Sequence, residues 1–146
     1  MISNSSKYGI RALTYLASQP KSAGKIGIKQ ISDDLGLPAP FLAKILQVLA
    51  KQKFLSSSKG PHGGFDLLKD PREISLLDVV RAIDTDDVFT NCVMQNKTCK
   101  CVEKEKAPCP VHEDYAKVRS GLIKFFTSKT IAGLVKSTNK SDAISI

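Results

Sequence analysis

The sequence predicts a mainly α fold carrying one small β-hairpin, with a long helix near the C-terminal end. Three observations predict it. Apolar residues recur at helical spacing through the first 52 residues and again after residue 113. The period changes to short extended runs only across residues 54–68, around a glycine-rich turn. The chain has 146 residues, of which 42% are hydrophobic and 25% charged, enough for one packed core with an accessory element.

The first helix is predicted over Ser5–Ser18. Gly9, Ala12, Leu13 and Leu16 share one face, and Pro20 stops the helix. Lys21–Gly24 reads as a loop. A short helix, Ile28–Leu35, places Ile31 and Leu35 inward and ends at Gly36, which can take the left-handed position. Gly36-Leu37-Pro38-Ala39-Pro40 is a tight connection, since each proline biases the residue before it towards extended geometry. A third helix, about Pro40–Gln52, buries Leu42, Ile45, Leu46 and Leu49 and leaves Pro40, Lys44, Gln47 and Lys51 outward.

Phe54–Ser58 and Gly64–Leu68 are extended runs, and Lys59-Gly60-Pro61-His62-Gly63-Gly64 between them is a turn. Ser75-Leu76-Leu77-Asp78 resembles a capping box with Asp for Glu, opening a helix to about Ile83. Residues 84–112 show neither period, and the Asp84, Asp86 and Asp87 run reads as a solvated turn. A loop of that length in a small domain is disordered or organised by something bound. From Glu113 to about Phe126 a helix returns, with Tyr115, Val118, Leu122 and Phe125 in a seam-like repeat. Thr130–Lys136 is one further short helix, and 137–146 reads as a flexible tail.

The net charge of +8 is unevenly placed. Residues 1–62 carry nine Lys/Arg against Asp33 and Asp34, or +7, whereas 63–146 carry thirteen basic and twelve acidic side chains, or +1. A short helix, tight turn, second helix and hairpin, in that order, are the parts of a winged helix-turn-helix. The turn presents the N-terminal end of the third helix to a major groove, where lysine reaches phosphate or guanine and glutamine reads adenine. Lys59 and His62 stand on the wing. Such a domain can also serve as a protein-interaction module, but a +7 half favours a polyanion, double-stranded DNA. No apolar run reaches the 18 residues a membrane span needs and no signal core opens the chain, so it reads as cytoplasmic with no membrane partner.

All four cysteines fall within 92–109, spaced Cys92-x6-Cys99-x-Cys101-x7-Cys109, with His112 following after two residues. Clustering without an export signal points to a metal or redox centre rather than structural disulfides. Thiolates bind iron–sulfur clusters, and an imidazole can replace one of them. Zinc ranks lower because no Cys-x2-Cys pair occurs. A metal-free thiol switch is a third option, since Lys97, Lys100, Lys104 and Lys106 would stabilise thiolates.

Tyr8-Gly9-Ile10-Arg11-Ala12-Leu13-Thr14-Tyr15-Leu16-Ala17, Ile31-Ser32 before Gly36, and above all Lys59-Gly60-Pro61-His62-Gly63-Gly64-Phe65 resemble the IscR/NsrR/CymR-like family of winged helix-turn-helix transcription regulators, repressors among them. The resemblance covers about residues 3–136. It implies a homodimer on a palindromic operator, with the helix near 113–126 crossing its dimer mate. It implies base contacts from Ala39, Pro40, Phe41, Ala43 and Lys44, and wing contacts from Lys59 and its neighbours. Some members carry Glu where Ala43 stands, so their operator preference does not transfer. Cluster-binding members use three cysteines in this loop, the last followed by histidine after two residues, a pattern that Cys92, Cys109 and His112 match. Cys99 and Cys101 compete for the middle place, and the 100–108 segment is enlarged. Some relatives borrow an acidic ligand from the partner's first helix, where this chain has Lys7, which favours His112 or the extra cysteine as fourth ligand.

The resulting organisation is a DNA-binding domain over 1–83, a cysteine-rich sensor loop over 84–112, a dimerisation region over 113–136 and the tail. The bound group would be an iron–sulfur cluster, 2Fe-2S or 4Fe-4S. An electron-transfer role leaves the helix-turn-helix unexplained. A Cys109–His112 nucleophile–base pair lacks an orienting third group, and no Gly-x-Ser-x-Gly or Walker pattern occurs, so the chain is not read as an enzyme.

Overall fold

The computed structural model describes residues 2–95, 98 and 109–138. Along the chain come α1 (Asn4–Ser18), a 3-10 turn (Lys21–Ala23), α2 (Ile28–Leu35), α3 (Ala39–Lys51), β1 (Leu55–Ser58), β2 (Gly64–Leu67), α4 (Leu76–Asp84), α5 (Asp87–Thr90), α6 (His112–Ser128) and α7 (Ile131–Thr138). The fold is mainly helical with one antiparallel hairpin, as the periodicity predicts.

α1 is the central post, because Ala12 and Leu13 are fully buried and α3, α4 and α7 all pack on it. Its N-cap is Ser3, whose hydroxyl oxygen accepts from the Ser6 N–H at 3.1 Å. The Asp84 carboxylate accepts from the Ser3 backbone N–H at 2.8 Å and from the Ser3 hydroxyl. Burial pushes the Asp84 carboxyl up, but the hydrogen bonds it accepts, those from Ser3 foremost, together with nearby positive charge hold the group below the usual range. Asp84 is therefore a pin between the end of α4 and the start of α1, not the solvated turn residue that its acidic neighbours suggest.

The turn between α2 and α3 is fixed by local chemistry. Gly36 adopts φ 61°, ψ 35°, a left-handed conformation that glycine takes without a side-chain penalty. Ser32 closes it, with the Leu37 N–H donating to the Ser32 carbonyl at 3.0 Å and the Ser32 hydroxyl donating to the Leu37 carbonyl at 2.5 Å. α3 then buries Leu42, Ile45, Leu46 and Leu49.

The hairpin pairs Leu55 with Leu67 and Ser58 with Gly64. Ile26 joins its edge through reciprocal 2.9 Å bonds with Phe65. Gly64 (φ 156°) makes this junction possible, since a Cβ there would stand 2.3 Å from the Ile26 carbonyl oxygen. α4 opens on the expected capping box: Ser75 Oγ accepts from the Asp78 N–H at 3.1 Å, and the Asp78 carboxylate accepts from the Ser75 N–H at 3.0 Å.

The stretch 84–112 departs from the expected absence of period. Thr85 lies at φ 67°, ψ 177°, a region that costs a non-glycine residue about 1–3 kcal/mol. The chain turns there into the four-residue α5, whose Phe89 is buried and meets Phe126 of α6 at 5.6 Å between ring centroids. So short a helix carries too few residues to show a period. An isolated bridge then pairs Asn91 with Thr98. The α6–α7 connection returns to the body: the Leu76 N–H donates to the Lys129 carbonyl and the Ile131 N–H to the Ile74 carbonyl, both at 2.9 Å. Among the described residues, no helix is long and apolar enough to cross a membrane.

Candidate nucleic-acid interface and cysteine site

α2 is strapped to α1 at the end nearest the turn. Arg11 Nη2 donates to the Leu35 carbonyl at 2.8 Å, occupying an acceptor that the end of α2 leaves open. The Tyr15 hydroxyl donates to the Asp34 carboxylate at 2.5 Å. Burial, then that hydrogen bond and the Asp34 charge, push the Tyr15 hydroxyl from 10.0 up to about 12. A folded pKa above the unfolded one gives stability that is complete below about pH 10 and is lost as pH rises towards 12. Alkaline denaturation should therefore steepen in that window, and Tyr15→Phe should flatten it, as read by circular dichroism against pH.

Arg11 also braces α3. Its guanidinium lies 5.9 Å from the Tyr8 ring centroid, and the Tyr8 ring meets Phe41 edge-on at 5.7 Å. Three side chains thus run from the end of α2 to the first turn of α3. An arginine eight residues into an amphipathic helix reads as solvated, so only the fold reveals this role.

The outer face of α3 exposes Pro40, Phe41, Lys44, Gln47, Val48 and Lys51, whereas Ala39 and Ala43 are half-buried. Val48, 39% exposed, is a surface residue that the apolar periodicity does not single out. At the hairpin tip Lys59, Gly60, Pro61 and His62 are exposed and Gly63 is half-buried, while Gly64, which opens β2 opposite Ser58, is buried against Ile26. No carboxylate occurs between Asp34 and Asp66, so this face carries cations with no opposing charge of its own.

Of the five candidate ligands, Cys92, Cys109 and His112 are described, while Cys99 and Cys101 lie outside the described residues. Cys109 is buried at 8% exposure, and Cys92 and His112 are half-buried. The Cys109 carbonyl accepts from the His112 N–H at 2.9 Å, so thiol and imidazole share the turn that opens α6. Arg119 lies over the Tyr115 ring at 5.2 Å and donates through Nη1 to the Thr90 carbonyl at 3.4 Å. This fastens the chain two residues before Cys92 at the level of Tyr115, one turn from His112. Among the described residues no three His, Cys, Asp or Glu side chains gather as a metal site. Lys7 is exposed, with its ammonium 3.4 Å from Asn4 Oδ1.

The seam residues of α6 divide. Val118 and Phe125 are 65% and 52% exposed, whereas Tyr115 and Leu122 are half-buried. Phe126, on the other side, is buried.

Comparison with known proteins places this arrangement. The family described as "Iron-dependent Transcriptional regulator", Rrf2, matches residues 2–137. The chain belongs to the Rrf2 family. A relative from Aquifex aeolicus, designated an HTH-type transcriptional regulator, is 31% identical over 140 residues, covering 96% of this chain and 94% of its own. The HTH-type transcriptional regulator NsrR of Shouchella clausii is 32% identical over 93 residues, covering 63% of this chain and 62% of its own. Among solved structures, CymR, the global cysteine regulator of B. subtilis, aligns with a TM-score of 0.76 at 20% identity, covering 94% of this chain and 98% of that one. T. potens IscR aligns with a TM-score of 0.71 at 24% identity, covering all of this chain and 92% of that one. Rrf2 proteins are transcription regulators rather than enzymes, and the fold shared with CymR and IscR is the winged helix that the sequence predicts.

Proposed function

We propose that this Rrf2-family chain is a cytoplasmic, homodimeric regulator that binds a palindromic operator through α3 and the wing and senses a signal through its cysteine loop. The observation that carries the DNA half is the acid-free face from residue 35 to 65, which sets Lys44, Lys51 and Lys59 beside an exposed Gln47. Lys59 and the wing backbone meet phosphate, and the outer face of α3, from Ala39 to Lys51, lies along the major groove with its first turns deepest. The uncovered apolar residues Val118 and Phe125 on α6 supply the surface for a second copy.

The sensing half rests on the donor set. Cys92, Cys109, His112 and one of Cys99 or Cys101 are thiolate and imidazole donors of the kind an iron–sulfur cluster takes, and such a cluster supplies redox and nitric-oxide sensitivity when bound. The pairing of Asn91 with Thr98 brings the residue before Cys99 against the residue before Cys92, which favours Cys99 as the middle ligand. The loop's two ends sit on α5 and α6, so a change in its ligation or thiol oxidation biases α6. A shift of α6 alters the spacing of two recognition helices, which must match half-sites about one DNA turn apart. A metal-free thiol switch acting on the same helix is the second reading, favoured by the burial of Cys109 beside α6.

The test is operator binding by purified dimer across salt concentrations. Affinity should fall with a log–log slope of about −0.9 per neutralised phosphate. Lys59→Ala should weaken binding on all sequences and reduce that slope by about one contact. An unchanged slope would remove the wing from the interface.

A further inference from the structure

The outer arc of α3 has two unlike edges. Successive residues turn by about 100°, so Lys44 and Lys51 form the crest of the exposed face. Pro40 and Gln47 lie along one side of it, and Phe41 and Val48 along the other. The two apolar side chains are seven residues apart, two turns or about 10 Å along the axis, a distance of about three base pairs. Both are uncovered, at 41% and 39% exposure. Phe41 is held in place by Tyr8, itself under the Arg11 guanidinium. No carboxylate stands on α3 or at the wing tip, residues 59–63, to accept from a cytosine amino group.

We propose that Phe41 and Val48 are specificity-determining residues that read thymine 5-methyl groups, which makes the half-site of this regulator A·T-rich beneath α3. In the major groove an A·T pair offers the adenine N6–H donor and N7 acceptor on one base and the methyl group on the other. Gln47 suits the first: its Oε1 accepts from N6–H, and its Nε2–H donates to N7. The apolar edge across the crest meets the methyl groups. Lys44 and Lys51, between the edges, face the groove's acceptors and the phosphates. This rests on the DNA-binding reading and adds to it a class of base sequence.

The experiment selects bound duplexes from a random pool with the full-length protein, then replaces each half-site thymine by uracil, which removes only the methyl group. Wild-type affinity should fall about fourfold at one or two positions per half-site, the worth of one buried methyl. Val48→Ala, at a surface position, should bind thymine and uracil operators equally at one of those positions while keeping the wild-type salt slope. Phe41→Leu, which keeps apolar bulk beside Tyr8, should change discrimination only at the other. Equal binding of thymine and uracil duplexes by the wild type, or full discrimination retained by Val48→Ala, would overturn the proposal. Failure of the pool to yield any preferred, salt-dependent sequence would instead overturn the DNA-binding reading beneath it.

Discussion

Phe125→Glu should convert the protein to a monomer and lower operator affinity by about a hundredfold or more. Phe125 is 52% exposed on α6 with Val118 two turns away at 65%, and an apolar pair so displayed on one helix face is a candidate partner surface. In a two-fold dimer the same residues meet their own copies, so one substitution places two carboxylates in the contact. The Lys129 ammonium, 5.9 Å from the Phe125 ring centroid, offsets part of the cost, but desolvating two like charges in one contact is unfavourable enough to separate the protomers. Operator affinity then falls for a separate reason: one recognition helix on one half-site loses the effective concentration supplied by the other, a factor of about 10² to 10⁴. Sedimentation and a footprinting titration read the two effects independently. Lys124→Glu, an exposed position on another side of α6, is the control and should leave both unchanged. If Phe125→Glu sediments as the wild type does, α6 is not the dimer helix.

The parts of this molecule that sequence makes legible are those decided within a few residues. Leu42, Ile45, Leu46 and Leu49 lie at i, i+3, i+4 and i+7, and all four are buried because helical geometry alone puts them on one side. Gly36 ends α2 in the left-handed conformation, and Ser75 with Asp78 forms the capping box, because both depend on neighbouring backbone. What sequence leaves unread is long-range. Asp84 pins Ser3 across 81 positions, and Arg11 reaches Leu35 across 24. Ile26 joins the hairpin edge from a segment that looks like loop. None of these has a period or a local partner to betray it.

The DNA-facing candidates divide on the same principle. Lys44, Gln47, Lys51 and the tip residues Lys59–His62 are exposed where the pattern puts them. Gly64 adjoins the tip, opposite Ser58, but its burial escapes the pattern, because the approach of Ile26 that requires a glycine there is itself a long-range contact. Val48 escaped notice because an isolated valine on a helix reads as core. The loop is hardest of all. Closing a flexible segment costs little more for six residues than for three, so cysteine spacing constrains convergence weakly.

That weak constraint makes the cysteines separable by substitution. Cys109→Ser should abolish loop-dependent regulation while leaving the fold intact. Cys109 is buried beside the first turn of α6, and its carbonyl hydrogen bond to His112 uses backbone alone, so serine preserves the turn and removes the thiol. Cys92→Ser should act alike from the other end of the loop, where Arg119 fastens Thr90 to α6. Only one of Cys99→Ser and Cys101→Ser should have the same effect, and the Asn91–Thr98 pairing points to Cys99. Each variant, prepared anaerobically, would be assayed for visible absorbance, iron and sulfide content, and operator affinity with and without oxidant. If cluster ligation is the sensing chemistry, Cys92→Ser and Cys109→Ser lose iron, absorbance and response together. His112→Ala then separates a fourth-ligand histidine from a bystander by keeping or losing the iron. If the wild type carries neither iron nor sulfide yet oxidant still changes its affinity, and Cys109→Ser removes that change, the thiol switch replaces the cluster. Regulation that survives Cys92→Ser and Cys109→Ser alike would move the sensor away from the two ends of the loop, since these are the cysteines that adjoin α5 and α6.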